Sequence, residues 1–313
     1  MPDSLQEIGM SAFSGTEIKE IEFPTNLKKV GGFGDDSDFS DVKCKLERVT
    51  LSPNTEIIDS YAFHNCGNLK HIMLPNGLQE IKYMAFASSG IESIEIPQTV
   101  KSIGEFAFSF CYKLKEIKIP NSLTGIGSFA FSNSGINKII LPNTIYEIEQ
   151  GTFSQCPFLK QVDLPNSIKV IGSGAFQDSA LKKIKLSNNL NIIKEEAFDN
   201  TKLEYVNIPD TVEEIWRNAF RNTPLKAIVI SEDTEIHPLA FAGTKLQTVY
   251  CKGSVKLCKQ KLADKLENLG LDEVEFLPAS QAPDFEKLSI SSSDIEESED
   301  NSEASSVISD SIE

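Results

Sequence analysis

The chain has 313 residues, 40% hydrophobic and 24% charged, with a formal net charge of −16. That length and apolar content suffice for a sizeable core, and the acidic balance makes nucleic acid and anionic membrane poor partners. No apolar run approaches the roughly 18 residues of a spanning helix, so no membrane insertion is expected. The N-terminal stretch from Met1 to Phe13 lacks the basic start and apolar run of a secretory signal.

From its first residues the chain repeats itself. A phenylalanine, usually preceded by alanine, recurs at Phe13, Phe63, Phe86, Phe108, Phe131, Phe153, Phe176, Phe198, Phe220 and Phe241, and from Phe63 onward the steps are 21 to 23 residues. Before each plug comes apolar-x-x-apolar-x-apolar, usually closed by proline, as in Leu69-Ile72-Leu74-Pro75 and Leu114-Ile117-Ile119-Pro120. The last two apolar residues of that phrase stand at the period of a strand. The proline ends the strand because it cannot donate to a ladder, and the Asn, Asp, Ser or Thr that usually follows favours a turn. A third phrase, as in Leu78-x-x-Ile81, leads back along the other side to the phenylalanine. One such turn cannot bury its own apolar face, but a stack of turns can, so the phenylalanines are read as an interior stack.

Pro2-Asp3-Ser4-Leu5-x-x-Ile8 matches the third phrase, so the sequence starts in mid-repeat with no capping element. Solenoids normally shield such an end. Three readings fit: a missing preceding segment, a dimer through that end, or an edge blunted by Gln6, Glu7 and Lys19. The second repeat is degenerate, since 50 residues separate Phe13 from Phe63. It carries an acidic insert within 31–45, with Asp35, Asp36, Asp38 and Asp41. Four carboxylates in a glycine-containing loop are a weak calcium donor set, but the spacing is not that of an EF-hand. A solvated protruding loop is expected, and no metal site or cofactor.

Six cysteines do not make a disulfide framework here. Cys66, Cys111 and Cys156 stand 45 residues apart, one position in alternate repeats. Two strand spacings separate such residues by roughly 9–10 Å, beyond bridging reach, so buried free thiols and a reducing compartment are expected. Cys44 with Cys66, and Cys251 with Cys258, have spacings that permit pairing. His64, His71 and His237 do not combine with cysteine at zinc-site spacing. There is no Asn-x-Ser/Thr acceptor, in keeping with an intracellular life.

The far end is expected to be capped over residues 252–278. Cys258, Leu262, Leu266 and Leu269 share one face of a helix over 255–269, Gly270 stops it, and Val274 and Phe276 alternate as a strand before Pro278. From residue 279 to 313 the composition turns to Ser, Asp and Glu, with ten acidic residues against Lys287 alone. Such a segment buries too little apolar surface to fold by itself, so a disordered acidic tail is expected. Ser291 and Ser293 each precede an acidic residue by three positions, a pattern that suits phosphorylation by an acid-directed kinase.

The combined phrase L-x-x-I-x-L-P-x-x-L-x-x-I-x-x-x-A-F resembles the Treponema-type leucine-rich repeat of the BspA-like surface-antigen family. The turns Pro120-Asn121-Ser122, Pro142-Asn143-Thr144 and Pro165-Asn166-Ser167 match it as well, and the resemblance covers residues 2 to about 251. It implies a curved solenoid with no catalytic residues and a role in adhesion or protein binding, without naming a ligand. The expected fold is therefore an α/β repeat: a β-rich, curved leucine-rich-repeat solenoid over 1–251, with a parallel sheet on the concave face and a C-terminal helical cap.

No phosphate-binding glycine loop, nucleophile elbow or zinc-protease motif occurs. The expectation is a non-catalytic, cytoplasmic scaffold that binds a protein partner through the concave face. The alternative is a cell-surface or secreted adhesin for host or extracellular-matrix proteins, exported by a route not visible in the sequence. In each strand the two residues flanking the middle apolar point outward. In the C-terminal third these include Tyr205, Val229 and Tyr250 beside Lys183 and Lys185. Aromatic anchors next to a basic rim make these five the candidate partner-binding residues.

Overall fold

A computed structural model describes residues 1–34, 44–285 and 287. The carboxylates of the insert (Asp35, Asp36, Asp38 and Asp41) and the tail serines Ser291 and Ser293 lie outside the described residues. The fold is a curved solenoid of parallel strands closed by one C-terminal helix. Most turns contribute a three-residue strand on the concave side, such as Ser93–Glu95 and Glu116–Lys118. Most also contribute a two-residue strand from the third phrase, such as Ser102–Ile103. The two-residue strands form two five-stranded parallel sheets, and the return side is thus laddered as well as packed.

The concave ladder is interrupted. Glu20–Glu22 pairs with Arg48–Thr50, Ser93–Glu95 with Glu116–Lys118, and Gln161–Asp163 with Lys183–Lys185. Four strands then run together from Tyr205–Asn207 through Ala227–Ser231 and Thr248–Lys252 to Glu275–Pro278. The expected strand around His71 and Met73 does not form, and Lys138 keeps a single bridge to Glu116.

The plugs stack as their period requires. Phe63, Phe86, Phe108, Phe131, Phe153, Phe176, Phe198 and Phe220 are completely buried. Successive rings lie nearly parallel, with centroids 5.2 Å apart for Phe86–Phe108 and 5.7 Å for Phe131–Phe153, within the range of offset stacking. The degenerate repeat also supplies a ring: Phe33 sits 4.9 Å from Phe13 and 6.0 Å from Phe63. The ring column therefore continues through the degenerate repeat. The backbone follows the rings from repeat to repeat, since the N–H of Phe86 donates to Ala107 and that of Phe108 to Ala130, each at 2.8 Å.

The Ser or Thr after the strand-ending proline does more than turn the chain. Thr99 donates its hydroxyl to the Leu78 carbonyl, Ser122 to Val100 and Thr211 to Leu190. Each donation reaches back one repeat, so the turn residue fastens adjacent coils. A second polar ladder lies three residues after each plug: Cys66, Ser89, Cys111, Ser134, Cys156, Ser179, Thr201, Thr223 and Thr244. Sulfur and hydroxyl meet across it at 3.5 Å for both Ser89–Cys111 and Ser134–Cys156. The alternating cysteines are members of a small, weakly polar column. Burial pushes the Cys111 and Cys156 thiols up to about 11, so both stay protonated and unreactive at neutral pH.

Cys66 departs from the expected free thiol. It is bonded to Cys44, with Cα atoms 4.7 Å apart. The two lie one coil apart, a single strand spacing, whereas Cys111 and Cys156 are two coils from their nearest counterparts and stay unbridged. Cys251 and Cys258 are buried free thiols, and Cys258 is held protonated by its hydrogen bond to Cys251 and by burial.

The cap is the helix Val255–Glu267, opened by the Ser254 hydroxyl, which accepts from the Leu257 N–H. Cys258, Leu262 and Leu266 are its buried face, and Gly270 leaves it at φ 72°, a conformation glycine adopts without strain. Lys261 and Lys265 donate to the carbonyls of Glu232 and Ile236, each at 2.7 Å, which holds the helix on the last coil. The following strand, Glu275–Pro278, extends the concave sheet parallel to Thr248–Lys252.

Candidate functional site: two regions of the concave face

With the interior filled by apolar side chains, the outward residues of the concave strands are the free ones. Two regions of that face stand out. Where the ladder fails at His71–Met73, a cleft of about 910 Å³ opens between the strands at Arg48–Thr50 and Ser93–Glu95. Charged and apolar residues share its walls, with Arg48, Lys70, Glu95 and Lys118 beside Val49, Ile72, Met73 and Ile94. Lys118 pairs with Glu95 at 3.1 Å and Arg48 with Glu20, so much of this charge is satisfied internally. Met73, outside the five-residue candidate set, is 89% exposed beside it.

The second region contains that candidate set. Register carries Tyr205 opposite Ala227 and Thr248, and Asn207 opposite Val229 and Tyr250. Tyr205 and Tyr250 therefore face each other diagonally across the strand Ala227–Ser231. Lys183 and Lys185 lie on the preceding coil, paired with Gln161 and Asp163. Lys226 lies 6.0 Å from the centre of the Tyr205 ring and bonds Glu204 at 2.6 Å. The Glu204 carboxylate holds the Lys226 ammonium above its ordinary range.

Val229 faces outward as expected but is not exposed. Ala227 is 7% and Val229 4% accessible, yet neither belongs to the continuous interior cluster that contains Ile228 and Ile230. The other three-residue concave strands leave at least one flanking residue exposed, as in Glu116–Lys118. A residue that sequence reasoning had assigned to the tail packs against the two tyrosines of this patch. After the short 3-10 turn Ala279–Gln281, the chain brings Phe285 back over the face. Its ring centroid is 5.3 Å from that of Tyr205 and 6.2 Å from that of Tyr250. A lone phenylalanine in an acidic, serine-rich segment was the available signal, since nothing in a solubilising tail requires one.

A further aromatic row, unmarked in the sequence reading, runs along the return side. Tyr61–Tyr83, Tyr83–Phe106 and Phe106–Phe129 have centroids 5.4, 6.0 and 4.9 Å apart. Among the described residues, no group of three or more His, Cys, Asp or Glu is placed to hold a metal ion. No described helix is long and apolar enough to cross a membrane.

Comparison with known proteins agrees with this geometry. A leucine-rich-repeat protein of Bacteroides ovatus is similar at 27% identity and a TM-score of 0.58; the match covers 80% of this chain and 59% of that one. A leucine-rich-repeat protein of Eubacterium ventriosum shares the fold at 18% identity and a TM-score of 0.51, over 83% of this chain and 73% of the other. A leucine-rich-repeat protein of T. pallidum is 30% identical over 46% of this chain and 69% of its own, with a TM-score of 0.41. The chain thus spans about 59% of the length of the B. ovatus structure. No curated protein matches it. The sequence profile of the BspA type leucine rich repeat region matches in six copies, over residues 1–34, 35–160 and 147–269. With nearly the whole solenoid and its cap inside those matches, the chain belongs to the BspA-type leucine-rich-repeat family.

Proposed function

We propose that this protein is a non-catalytic scaffold, of the Treponema-type subgroup, that binds protein partners through the C-terminal third of its concave face. The observation that carries the reading is the patch at Tyr205 and Tyr250, where outward-facing Ala227 and Val229 are buried and an aromatic ring packs against both tyrosines. Two tyrosines beside Lys183, Lys185 and Lys226 have the composition of a binding hot spot, where aromatic and cationic side chains dominate the energy. The full chain, the double variant Tyr205→Ala/Tyr250→Ala and a return-side control, Trp216→Ala, would be used as baits in extracts of source cells. Proteins retained by the wild type and the control but lost by the double variant support the reading. Identical captures by all three refute it.

A second reading, a surface or secreted adhesin, is favoured by the Cys44–Cys66 disulfide, because such bonds persist mainly in oxidising compartments. Biotinylation of intact source cells, with a cytosolic protein as control, separates the two. Strong labelling selects the adhesin, and recovery only from the soluble lysate selects the intracellular scaffold.

A further inference from the structure

The Tyr205–Tyr250 patch is occupied by the chain itself. The segment that covers it is short and chemically distinctive: Pro283-Asp284-Phe285, followed in sequence by Glu286. It leaves the cap after Ala279–Gln281, and its path from the strand Glu275–Pro278 to Tyr205 crosses two intervening strands. The phenylalanine touches one tyrosine at a 33° ring angle and the other edge-on at 62°. Asp284 pairs with Lys287 at 2.9 Å, which favours a tight local bend around the aromatic residue. Among the described residues the segment adds no strand to the sheet, and its aromatic contacts are with the two tyrosines. This is how a bound peptide sits on a surface rather than how a coil sits in a solenoid.

Resting on the proposed protein-binding role, we infer that Tyr205 and Tyr250 recognise an aromatic residue carried in an acidic peptide, and that Pro283-Asp284-Phe285 is an intramolecular competitor for that site. Charge selects the acidic context: Lys183, Lys185 and Lys226 border the patch, and in the sequence of the chain's own occupant Phe285 stands between Asp284 and Glu286. A partner with the same chemistry displaces the segment. Its apparent affinity is reduced by the fraction of molecules in which the site is open, so closure in nine molecules of ten weakens binding about tenfold.

The test uses the full chain and a fluorescein-labelled synthetic peptide of residues 279–290, read by fluorescence anisotropy. Wild type, Phe285→Ala and Phe285→Ala/Tyr250→Ala are compared, together with a peptide bearing alanine in place of Phe285. The expected result is binding by Phe285→Ala about tenfold tighter than by wild type. The double variant and the alanine peptide lose that binding, and raising the salt concentration weakens it. Thermal melts of the three proteins establish that each is folded. Equal binding by wild type and Phe285→Ala overturns the inference, as does binding that ignores Tyr250 or the peptide's phenylalanine. A large loss of thermal stability in Phe285→Ala without peptide binding also overturns it, since the ring would then be a structural cover. Partner capture that still depends on Tyr205 and Tyr250 would leave the proposed function standing in any of those cases.

Discussion

Cys44 and Cys66 are joined across a single coil, with their Cα atoms 4.7 Å apart and a separation of 22 positions in sequence. The bond fastens the exit of the degenerate second repeat to the first regular one. For a closed loop of that length the chain-entropy estimate is about 3 kcal/mol of stabilisation. In a solenoid each coil contacts only its neighbours, so the effect should remain local. Reduction, or Cys66→Ser, is expected to raise hydrogen exchange in the coils before Ile58 while leaving those beyond Phe108 protected. A uniform rise along the chain would show that the bond acts on the whole fold.

Acid should act at the same end. The Asp59 carboxylate, only 12% exposed, meets Lys29 at 2.9 Å and Lys82 at 3.3 Å. Burial pushes its pKa up, but the Lys29 hydrogen bond, the Ser60 backbone and Lys82 together hold it below the ordinary carboxylate value. A depressed carboxyl stabilises the fold above its unfolded value, near 3.9, and that contribution is lost as pH falls through the folded value. Lys29 is raised, first by its hydrogen bond to Asp59, so its contribution holds below about 10.4 and disappears as pH rises through the folded value. Asp59→Asn is expected to lower stability by roughly 1–3 kcal/mol near neutrality, and the deficit should close below about pH 4. Thermal melts of both proteins from pH 2 to 9 check this; a deficit that does not narrow at all between pH 5 and pH 2 would assign the loss to packing instead.

The buried column behind the plugs gives a contrast within one register. Thr201 donates its hydroxyl to the Phe198 carbonyl at 2.9 Å, whereas the Ser179 hydroxyl, one coil earlier, is buried with no partner among the described residues. Removing an unsatisfied hydroxyl relieves a desolvation cost, while removing a satisfied one strands its acceptor. Ser179→Ala should therefore leave the melting temperature unchanged or raise it, and Thr201→Val should cost about 1 kcal/mol. Equal losses in both would mean that Ser179 is bonded through an ordered water.

How far the sequence displays this fold depends on whether a property repeats. The plugs at Phe63 and Phe86, the strand-ending prolines and the cap's Cys258-Leu262-Leu266 face are apolar or rigid residues at a fixed period, and that period is legible. Phe33 escaped notice because the insert moved it off the period, although its ring fills the same column. Left-handed backbone was invisible for a different reason. The position two before each plug has φ of 59° at Tyr61, 55° at Phe106 and 57° at Glu196. None of those residues signals that conformation, whereas Gly151, Gly174 and Asn218 at equivalent positions do. Stacked coils impose the geometry through hydrogen bonds between repeats, against local preference. At the candidate site Tyr205 and Tyr250 could be placed on one face from strand alternation. The return of Phe285 against both rings could not, because it comes from 35 positions beyond Tyr250 in the chain.

The ring column predicts how the molecule comes apart. Phe153 is fully buried, with Phe131 5.7 Å away on one side and Phe176 5.5 Å on the other. Phe153→Ala removes both contacts and leaves a cavity that neighbours held by two sheets cannot collapse to fill, a change that costs about 3–5 kcal/mol in a packed core. Because coupling in a solenoid passes only between adjacent coils, the weak rung lies across the single route by which the two halves support each other. The variant should unfold in two steps in urea, with the hydrogen-exchange boundary falling near residue 153. Phe241→Ala, one coil from the cap, should instead loosen the C-terminal coils and the helix while the N-terminal coils keep their protection. If both variants unfold in one transition of undiminished sharpness, the coils are coupled over longer distances than nearest-neighbour stacking provides.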